Sequence, residues 1–400
     1  AYIVDSTAAP IAGLSIFSTW IAYEVSQYRA PLTMVTKADG TPYLASDAFA
    51  VFVETVPYRF YCILTLVMVL LVILMRRDFG PMLAAERRAR LEGKPIADDA
   101  RPMVSHSMAS TQPKPETPLR GWNALLPLLV LVLGTIGIMF YQGASTDAPK
   151  PADVQGFAGE IRWLLANAKS EWALLLASAG ALVVAAALAL GQQLMSLGEV
   201  LRCALQSLRA LGFALLILLL AWSLGKVCKD LGTSFFLTGA CRDLMSAQVL
   251  PLVLFFTSAL IAFATGTSYG TMAILLPNVV VLAHQIGSDA AFGGSTASGG
   301  PLLMVLTIGA VLEGSIFGDH CSPISDTTVL SSLGSRCDHL AHVATQMPYA
   351  LVVMVTSALF GYLPMVLFGP QWWPLALVAS TLVLAGFLWF VGKDPNRPAA

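Results

Sequence analysis

The chain has 400 residues, of which 56% are hydrophobic and only 12% are charged. Soluble domains carry roughly 25% charged residues, so this composition excludes an ordinary soluble domain and indicates a polytopic membrane protein. The net charge of −1 gives no indication of a nucleic acid partner. The six cysteines are scattered without a CxxC pair, which indicates free thiols rather than a disulfide framework.

The first 75 residues predict two membrane spans. Residues 6–23 contain no charged side chain, and 18 residues at 1.5 Å per residue nearly cross a bilayer core of about 30 Å. A second apolar run covers residues 57–75. The chain starts without a methionine, a basic segment or a signal-peptide cleavage site, so we expect that further residues precede it in a longer protein.

Residues 76–120 predict a cytoplasmic loop. This stretch contains nine Lys or Arg residues, and cytoplasmic loops of membrane proteins are enriched in both. Its first part has the pattern of a short interfacial helix. Residues 97–118 are rich in Pro, Ser and Thr, which predicts a disordered tract.

Residues 121–243 predict three further spans, at about 122–141, 172–190 and 210–225. Between the last two, leucines recur at helical spacing opposite charged residues. This pattern predicts an amphipathic helix on the cytoplasmic surface over residues 192–209.

Residues 244–392 contain two apolar stretches that polar residues interrupt. Residues 244–288 form a run of 45 residues without a formal charge, interrupted at 264–272 by ATGTSYGTM. Such a run is too long for one crossing, and it fits either a re-entrant hairpin or a broken span followed by a return. The second interruption, residues 318–328, lies within GSIFGDHCSPISDTTVLSS.

Two more spans follow these interruptions, at about 340–364 and 372–391, and residues 393–400 form a predicted cytoplasmic tail. Helix-breaking residues mark both interruptions: Gly266, Gly270, Gly318 and Pro323. The sequence therefore predicts an all-α bundle of transmembrane helices, some of them discontinuous.

Ionisable residues inside a membrane are costly and mark functional sites by default, which makes Asp319 and Asp326 the leading candidates. Broken helices leave backbone carbonyls and amides unpaired, and these dipoles can replace the hydration shell of a small cation. Alkali ions prefer hard oxygen ligands. The interruptions supply such ligands in the hydroxyl groups of Thr267, Ser268, Ser322, Ser325 and Thr327.

A carboxylate in this setting can hold either a proton or a Na⁺ ion, but not both cheaply, because burial penalises its free charged form. This competition is the minimum requirement for an ion/proton antiporter. Three further residues are candidates for a proton relay: His320, Glu313 and Asp5. Helix capping is the alternative interpretation of Asp319 and Asp326.

Four segments of the chain resemble the NhaC-type Na⁺/H⁺ antiporter family, which also includes exchangers that couple Na⁺ to small carboxylates. The most specific is GDHCSPISDTTVLSS at residues 318–332. The other three are FATGTSYGTMAILLP at 263–277, AWSLGKVCKDLGTSFFL at 221–237 and AYIVDSTAAP at 1–10. The resemblance covers most of the chain except residues 93–118.

The resemblance implies a secondary transporter of the cell inner membrane, built from inverted repeats. Residues 1–75 would end the first repeat, and residues 244–392 would form the ion-binding part of the second. The implied ion site consists of Asp319, Ser322, Ser325, Asp326 and Thr327, with Thr267 and Ser268 lining it from the other interruption. The expected partners are Na⁺, H⁺ and the lipid bilayer, without a cofactor or a metal beyond Na⁺. Nothing in the sequence indicates an oligomer.

Two other functions remain open. The first is Na⁺-coupled antiport of small carboxylates such as malate and lactate. The second, from a different class, is an intramembrane serine hydrolase in which Ser268 of the GTSYG motif would act with His284 or His320. A metal site at Asp319, His320 and Cys321 is disfavoured, because three consecutive side chains cannot easily converge on one ion.

Overall fold

The structure, a computed structural model, describes residues 1–15, 19–101, 120–146, 150, 156–168, 170–231 and 246–397. Two compact units make up the chain: residues 1–103 with 214–400, and residues 104–213. The tract predicted to be disordered, 97–118, lies mostly outside the described residues.

Six helices within the described residues are long and apolar enough to cross a membrane, and a seventh span results if one bent pair of helices is counted together. The elements assigned to these residues are helices and turns. The prediction of a polytopic, all-α membrane protein is therefore confirmed. The inverted-repeat relationship stays a prediction.

The chain begins with two helices, α1 (Tyr2–Leu14) and α2 (Thr19–Leu32). The predicted continuous span over residues 6–23 is wrong, because Ser15 leaves α1 in an extended conformation with φ −77° and ψ 119°. Lack of charge indicated an apolar segment, but it did not require an unbroken helix.

The next two helices form the bent pair. Helix α3 (Ala48–Thr55) continues through a short turn of 3₁₀-helix into α4 (Phe60–Met75), and the helix direction changes by 46° at this point. Pro57 lies in the turn and has no N–H to donate to a helical hydrogen bond. Arg59, with φ −79° and ψ 56°, is the residue at the bend.

The predicted cytoplasmic loop begins with a short helix, α5 (Gly80–Leu91). Just before it, Asp78 pairs with Lys393 through two backbone hydrogen bonds of 3.0 and 2.9 Å. The loop and the C-terminal tail therefore lie on the same side of the first unit, as their charges suggest.

In the second unit, α6 (Trp122–Ala144) and α8 (Ser170–Gly191) pack together, with α7 (Gly156–Ala166) between them in sequence. They are antiparallel, since Gln192 after the end of α8 donates a 2.6 Å hydrogen bond to Asn123 at the start of α6. The predicted interfacial helix at 192–209 is not a separate element. It and the predicted span that follows it are parts of one helix, α9 (Leu197–Asp230).

The first unit is organised around three helices: α10 (Leu250–Thr265), α11 (Ser268–Asp289) and α12 (Thr296–Cys321). Both α10 and α11 pack along α12. Helix α10 runs parallel to the C-terminal half of α12, and α11 returns antiparallel along its whole length. Residues 244–288 therefore contain a hairpin, which turns at Gly266 and Thr267.

After α12 the chain forms a short break at residues 322–325 and continues as α13 (Asp326–Gly334) and α14 (His339–Thr356). A π-helical turn then leads into α15 (Leu363–Phe368), and α16 (Trp373–Phe390) completes the unit. Helix α12 is the central element, since 89% of the residues in its membrane-spanning stretch are buried.

Glycines on α12 allow its neighbours to approach closely. A Cβ atom at Gly314 would lie 2.1 Å from the carbonyl oxygen of Phe255, and one at Gly318 would lie 2.4 Å from that of Ala259. Small residues commonly allow such backbone contact between membrane helices. Gly318 was predicted to break the helix, but it lies inside α12 and acts in helix packing.

We expect Gly314→Ala to destabilise the protein by about 1–3 kcal/mol, as overpacking of a close contact does. Gly309→Ala is the matched control on the same helix, because the nearest atom to a Cβ there is 3.6 Å away. Thermal unfolding in detergent measures both. Equal melting temperatures for the two variants would contradict the close packing of α10 on α12.

Candidate functional site

The two interruptions meet in the structure. Gly266 ends α10 with a φ of +66°, and a Cβ atom on it would lie 2.8 Å from the carbonyl oxygen of Ile324. Glycine is therefore required here both for the left-handed backbone and for the close approach. The hairpin turn thus contacts the break that follows α12.

Asp319 lies at this junction, in the last turn of α12, with only 1% of its surface exposed. Its Oδ1 accepts a 2.9 Å hydrogen bond from the Ser325 hydroxyl, and its Oδ2 accepts a 3.3 Å hydrogen bond from the Ser268 hydroxyl. The Ser325 hydroxyl also lies 2.9 Å from that of Thr327. Ser325 in the break after α12 and Ser268, the first residue after the hairpin turn, thereby each contribute a hydroxyl group to one buried carboxylate.

Four helix ends converge around Asp319. Helices α10 and α12 end there, and α11 and α13 begin there. C-terminal helix ends present unpaired carbonyl groups, whereas N-terminal ends present unpaired amides. Two of the predicted hydroxyls serve these ends: Thr267 caps α11 through the Gly270 N–H at 3.3 Å, and Ser322 donates to the Phe263 carbonyl at 2.8 Å.

The four predicted helix-breaking residues differ in position. Gly266 and Pro323 lie in the breaks, whereas Gly270 lies in the first turn of α11 and Gly318 lies inside α12. The unwound segments are accordingly shorter than predicted. They comprise residues 266–267 and 322–325.

Asp326 occupies the first position of α13 and is partly exposed. Its carboxylate interacts with the backbone N–H of Thr327, as acidic groups in a first helical turn do. It is also close enough to Asp319 for electrostatic interaction. Asp326 therefore lies at the edge of the site, while Asp319 is at its centre.

His320 faces away from this carboxylate, toward α1 and α4. Its Nε2 is hydrogen bonded to the Ser6 hydroxyl at 3.0 Å and its Nδ1 to the Tyr61 hydroxyl at 2.6 Å. The Cys321 thiol donates to the Phe317 carbonyl. Among the described residues, no group of three His, Cys, Asp or Glu side chains is placed to hold a metal ion.

Asp5 belongs to a second group of buried polar residues, beside the Asp319 site. We call this group, which consists of Asp5, His320, His342 and Gln346, the second polar layer. The Gln346 amide donates to Asp5 Oδ2 at 2.7 Å and also to the His320 carbonyl. His342 Nε2 lies 2.9 Å from Gln346 Oε1 and 3.9 Å from Asp5 Oδ2. Thr327 interacts with Asp5 as well, which links this layer to the Asp319 site.

The second polar layer reaches a cavity of about 890 Å³ in the first unit. His342 lines this cavity, together with Asp78, Arg76 and Asp338 near the predicted cytoplasmic surface. The Ser332 hydroxyl connects His342 to His339, at 2.8 and 2.9 Å. A chain of polar groups thus extends from the cavity to Asp5.

Glu313 lies apart from the Asp319 site and from the second polar layer, about two turns before Asp319 on α12. Its Oε2 accepts a 2.6 Å hydrogen bond from the Cys62 N–H, and its Oε1 lies 3.5 Å from Arg59. Arg59 also pairs with Glu24 at 2.8 Å. A role of Glu313 in a proton relay to Asp319 stays a prediction.

Sequence reasoning missed five of these residues: Glu24, Arg59, Tyr61, His342 and Gln346. A signal existed for Arg59 and Glu24, which are charged residues at the edges of apolar runs. Gln346 and Tyr61 occur among apolar residues with nothing in the sequence to pair them with Asp5 or His320. Their partners lie 341 and 259 positions away in the chain.

The geometry does not form the catalytic pair of a serine hydrolase. The Ser268 hydroxyl donates to Asp319, His284 Nε2 is hydrogen bonded to the Thr36 carbonyl at 2.8 Å, and His320 is bonded to Ser6 and Tyr61. Neither histidine is positioned as the base for Ser268. The hydrolase alternative is therefore wrong.

A model of the Na⁺/H⁺ antiporter family matches residues 17–369. The chain belongs to the Na⁺/H⁺ antiporter family. This confirms the resemblance drawn from the sequence and agrees with the prediction of a multi-pass membrane protein. No solved structure is significantly similar to it.

Three similar proteins come from bacteria. The chain is 32% identical to an uncharacterized protein of Haemophilus influenzae over 365 residues, covering 91% of the chain and 62% of that protein. It is 32% identical over 101 residues to the malate-2H⁺/Na⁺-lactate antiporter of Bacillus subtilis, covering 25% of the chain and 19% of that protein. It is 31% identical over 114 residues to an uncharacterized Na⁺/H⁺ antiporter of Haemophilus influenzae, covering 28% of the chain and 21% of that protein.

We expect Gly266→Ala to destabilise the protein more than Gly40→Ala. Both glycines have positive φ, so both substitutions introduce backbone strain of roughly 1–2 kcal/mol. A Cβ atom at Gly266 would also collide with the backbone of Ile324, whereas nothing lies within 4 Å of a Cβ atom at Gly40. Thermal unfolding of the two variants isolates the contact between the breaks, and equal losses would contradict it.

Proposed function

We propose that this protein is a secondary antiporter of the cell inner membrane, which exchanges Na⁺ for H⁺ at a buried site centred on Asp319. The main support is that Ser325 in one helix break and Ser268, directly after the other, both donate a hydrogen bond to this one buried carboxylate. Family membership supports antiport as the general activity. The chain spans only 62% of its relative's length, so the proposal concerns the full-length protein.

The chemistry of the site suits a small hard cation. Ser268, Ser325 and Thr327 offer hydroxyl oxygens, Asp319 offers a carboxylate, and the ends of α10 and α12 offer carbonyl groups. Hard oxygen ligands of this kind suit alkali and alkaline-earth ions. Discontinuous helices in transporters coordinate Na⁺ and H⁺ in the same way.

Competition between the two ions follows from burial. An ionised Asp319 without a cation would be a desolvated charge, which is costly in a protein interior. A proton or a Na⁺ ion each removes this cost, and occupancy by one disfavours the other. Exchange then requires that the loaded site open alternately to the two sides of the membrane.

The second polar layer gives the proposal a proton path. Protons would enter through the cavity on the predicted cytoplasmic side and reach Asp5 by way of His342 and Gln346. Histidine is suited to this step because its ordinary pKa lies near neutral pH. Thr327 would connect Asp5 to the ion site.

Na⁺-coupled exchange of small carboxylates remains the second candidate. The observation that favours it is the similarity of about a quarter of the chain to the malate-2H⁺/Na⁺-lactate antiporter. Transport by the full-length protein in proteoliposomes distinguishes the two candidates. Na⁺-driven proton movement without an organic substrate supports the first, and strict dependence on malate or lactate supports the second. Failure of both would refute antiport at this site.

We predict that Asp319→Asn abolishes Na⁺-driven proton movement in proteoliposomes, because the amide can neither bind a proton nor neutralise Na⁺. Asp326→Asn should weaken apparent Na⁺ affinity while leaving exchange measurable, since Asp326 lies at the edge of the site. Asp394→Asn in the exposed tail is the control. Normal exchange by Asp319→Asn would remove Asp319 from the site.

Removal of a hydroxyl ligand should weaken Na⁺ binding without abolishing proton binding. We expect Ser268→Ala or Ser325→Ala to raise the Na⁺ concentration for half-maximal exchange at least about tenfold, equivalent to about 1.4 kcal/mol. Ser315→Ala is the control: Ser315 is buried on α12, the helix that carries Asp319, and its hydroxyl donates within that helix, to Leu312 at 2.7 Å. An equal effect of all three substitutions would indicate a general packing defect instead.

A further inference from the structure

A second group of buried charges lies away from the Asp319 site. It consists of Glu24 on α2, Arg59 at the bend between α3 and α4, and Glu313 on α12, and all three side chains are 0% exposed. The Arg59 side chain also donates to the Thr55 hydroxyl at 3.3 Å. We call these three residues the Arg59 cluster.

The charges in the Arg59 cluster do not balance. Two carboxylates face one guanidinium, so the cluster has a net charge of −1 if both carboxylates are ionised. Among the described residues, Arg59 is the cation that forms an ion pair with either carboxylate. A lone excess charge in a dry protein interior is strongly unfavourable unless a proton or a cation neutralises it.

Within the described part of the chain, the surroundings do not supply the missing charge. The titratable side chains that face the cluster are Tyr28 on α2, Cys62 on α4 and Tyr362 on the π-helical turn. Phenol and thiol groups are uncharged at neutral pH in their ordinary state. Arg29 interacts with Tyr28, and the ion pairs described for Glu24 and Glu313 are with Arg59 rather than Arg29.

The two carboxyl groups lie at different distances from the Arg59 guanidinium. Arg59 Nη2 lies 2.8 Å from Glu24 Oε2, a normal charge-assisted hydrogen bond. Arg59 Nη1 lies 3.5 Å from Glu313 Oε1, and this oxygen has no hydrogen-bond partner among the described residues. In the part of the chain that the structure describes, each carboxyl group has one oxygen without a hydrogen-bond partner, and the other oxygen of Glu313 accepts the Cys62 N–H, so the distance to Arg59 is what separates them. On this distance Glu24 is the ion-pair partner of Arg59, and Glu313 is the group left to be neutralised.

A proton suits this position better than Na⁺. One carboxyl oxygen is enough to bind a proton, whereas Na⁺ needs several oxygen ligands. The cluster offers only two unpartnered oxygens, Glu24 Oε1 and Glu313 Oε1. The guanidinium of Arg59 would also repel a second cation at this distance.

We propose that the Arg59 cluster is a second proton-binding site, in which Glu313 holds one proton that Na⁺ does not displace. The site shares α12 with Asp319, six residues or about 9 Å further along the helix axis. Its existence does not depend on the exchange proposed above, because it follows from the charge balance of the cluster.

Infrared absorption spectroscopy of the reconstituted full-length protein, with spectra compared between H₂O and D₂O and between the wild-type protein and each variant, tests the proposal. A protonated carboxyl group gives a C=O stretching band that shifts in D₂O. We expect such a band near neutral pH that persists at saturating Na⁺ and in Asp319→Asn. A band of Asp319 itself would instead disappear on addition of Na⁺, so the failure of one proposal is distinguishable from the failure of the other.

Four substitutions identify the group. Glu313→Gln and Glu24→Gln should each remove the Na⁺-insensitive band, because the one remaining carboxylate then balances the charge of the guanidinium and no proton is needed. Both variants should fold, because the cluster in each has no net charge. Glu313→Asp should shift the band, whereas Glu24→Asp should leave it in place. If a Gln variant does not fold, the Asp variants still identify the proton carrier.

Three results would overturn the proposal. They are the absence of a Na⁺-insensitive band in the wild-type protein, its persistence in both Gln variants, and a shift caused by Glu24→Asp in place of Glu313→Asp. The last result would assign the proton to Glu24.

Discussion

The cost of placing a charge in a helix-packed interior governs the arrangement of this protein. Helix α12 carries two acidic residues in its buried C-terminal half, and each is compensated differently. Asp319 receives two hydroxyl groups and lies where four helices begin or end. Glu313 receives a backbone N–H and lies beside a guanidinium that is already paired. The first environment suits exchange of cations, and the second suits retention of a proton.

Close helix packing buries both environments away from solvent. Glycines at 314 and 318 bring the backbone of α10 against α12, and Gly266 brings the hairpin turn against the second break. A larger residue at any of these positions would separate the elements. The hydroxyl groups that donate to Asp319 come from both sides of this contact, so the proposed ion site and the helix packing depend on the same glycines.

The polar layer around Asp5 and His320 extends the site toward the predicted cytoplasmic side. Gln346 joins α14 to α1 and to the end of α12 through its one side-chain amide. His320, singled out as a neighbour of Asp319 in sequence, contributes its ring to this layer and not to the proposed ion site. Adjacent residues on a helix point in directions about 100° apart, so neighbouring positions serve different faces.

The sequence by itself determined the membrane class, the family and the two polar interruptions, because hydropathy and motif residues are local properties. It singled out Asp319, Ser268 and Ser325 as candidate site residues, although it could not show that they form hydrogen bonds with one another. Only the tertiary structure decided that residues 6–23 contain a break, that 244–288 turn as a hairpin, and that Gly318 packs instead of breaking a helix. It alone revealed the pairing of Glu24 and Arg59 with Glu313, and of Gln346 with Asp5. Such pairs join residues far apart in the chain, and no local pattern specifies which buried polar groups will meet.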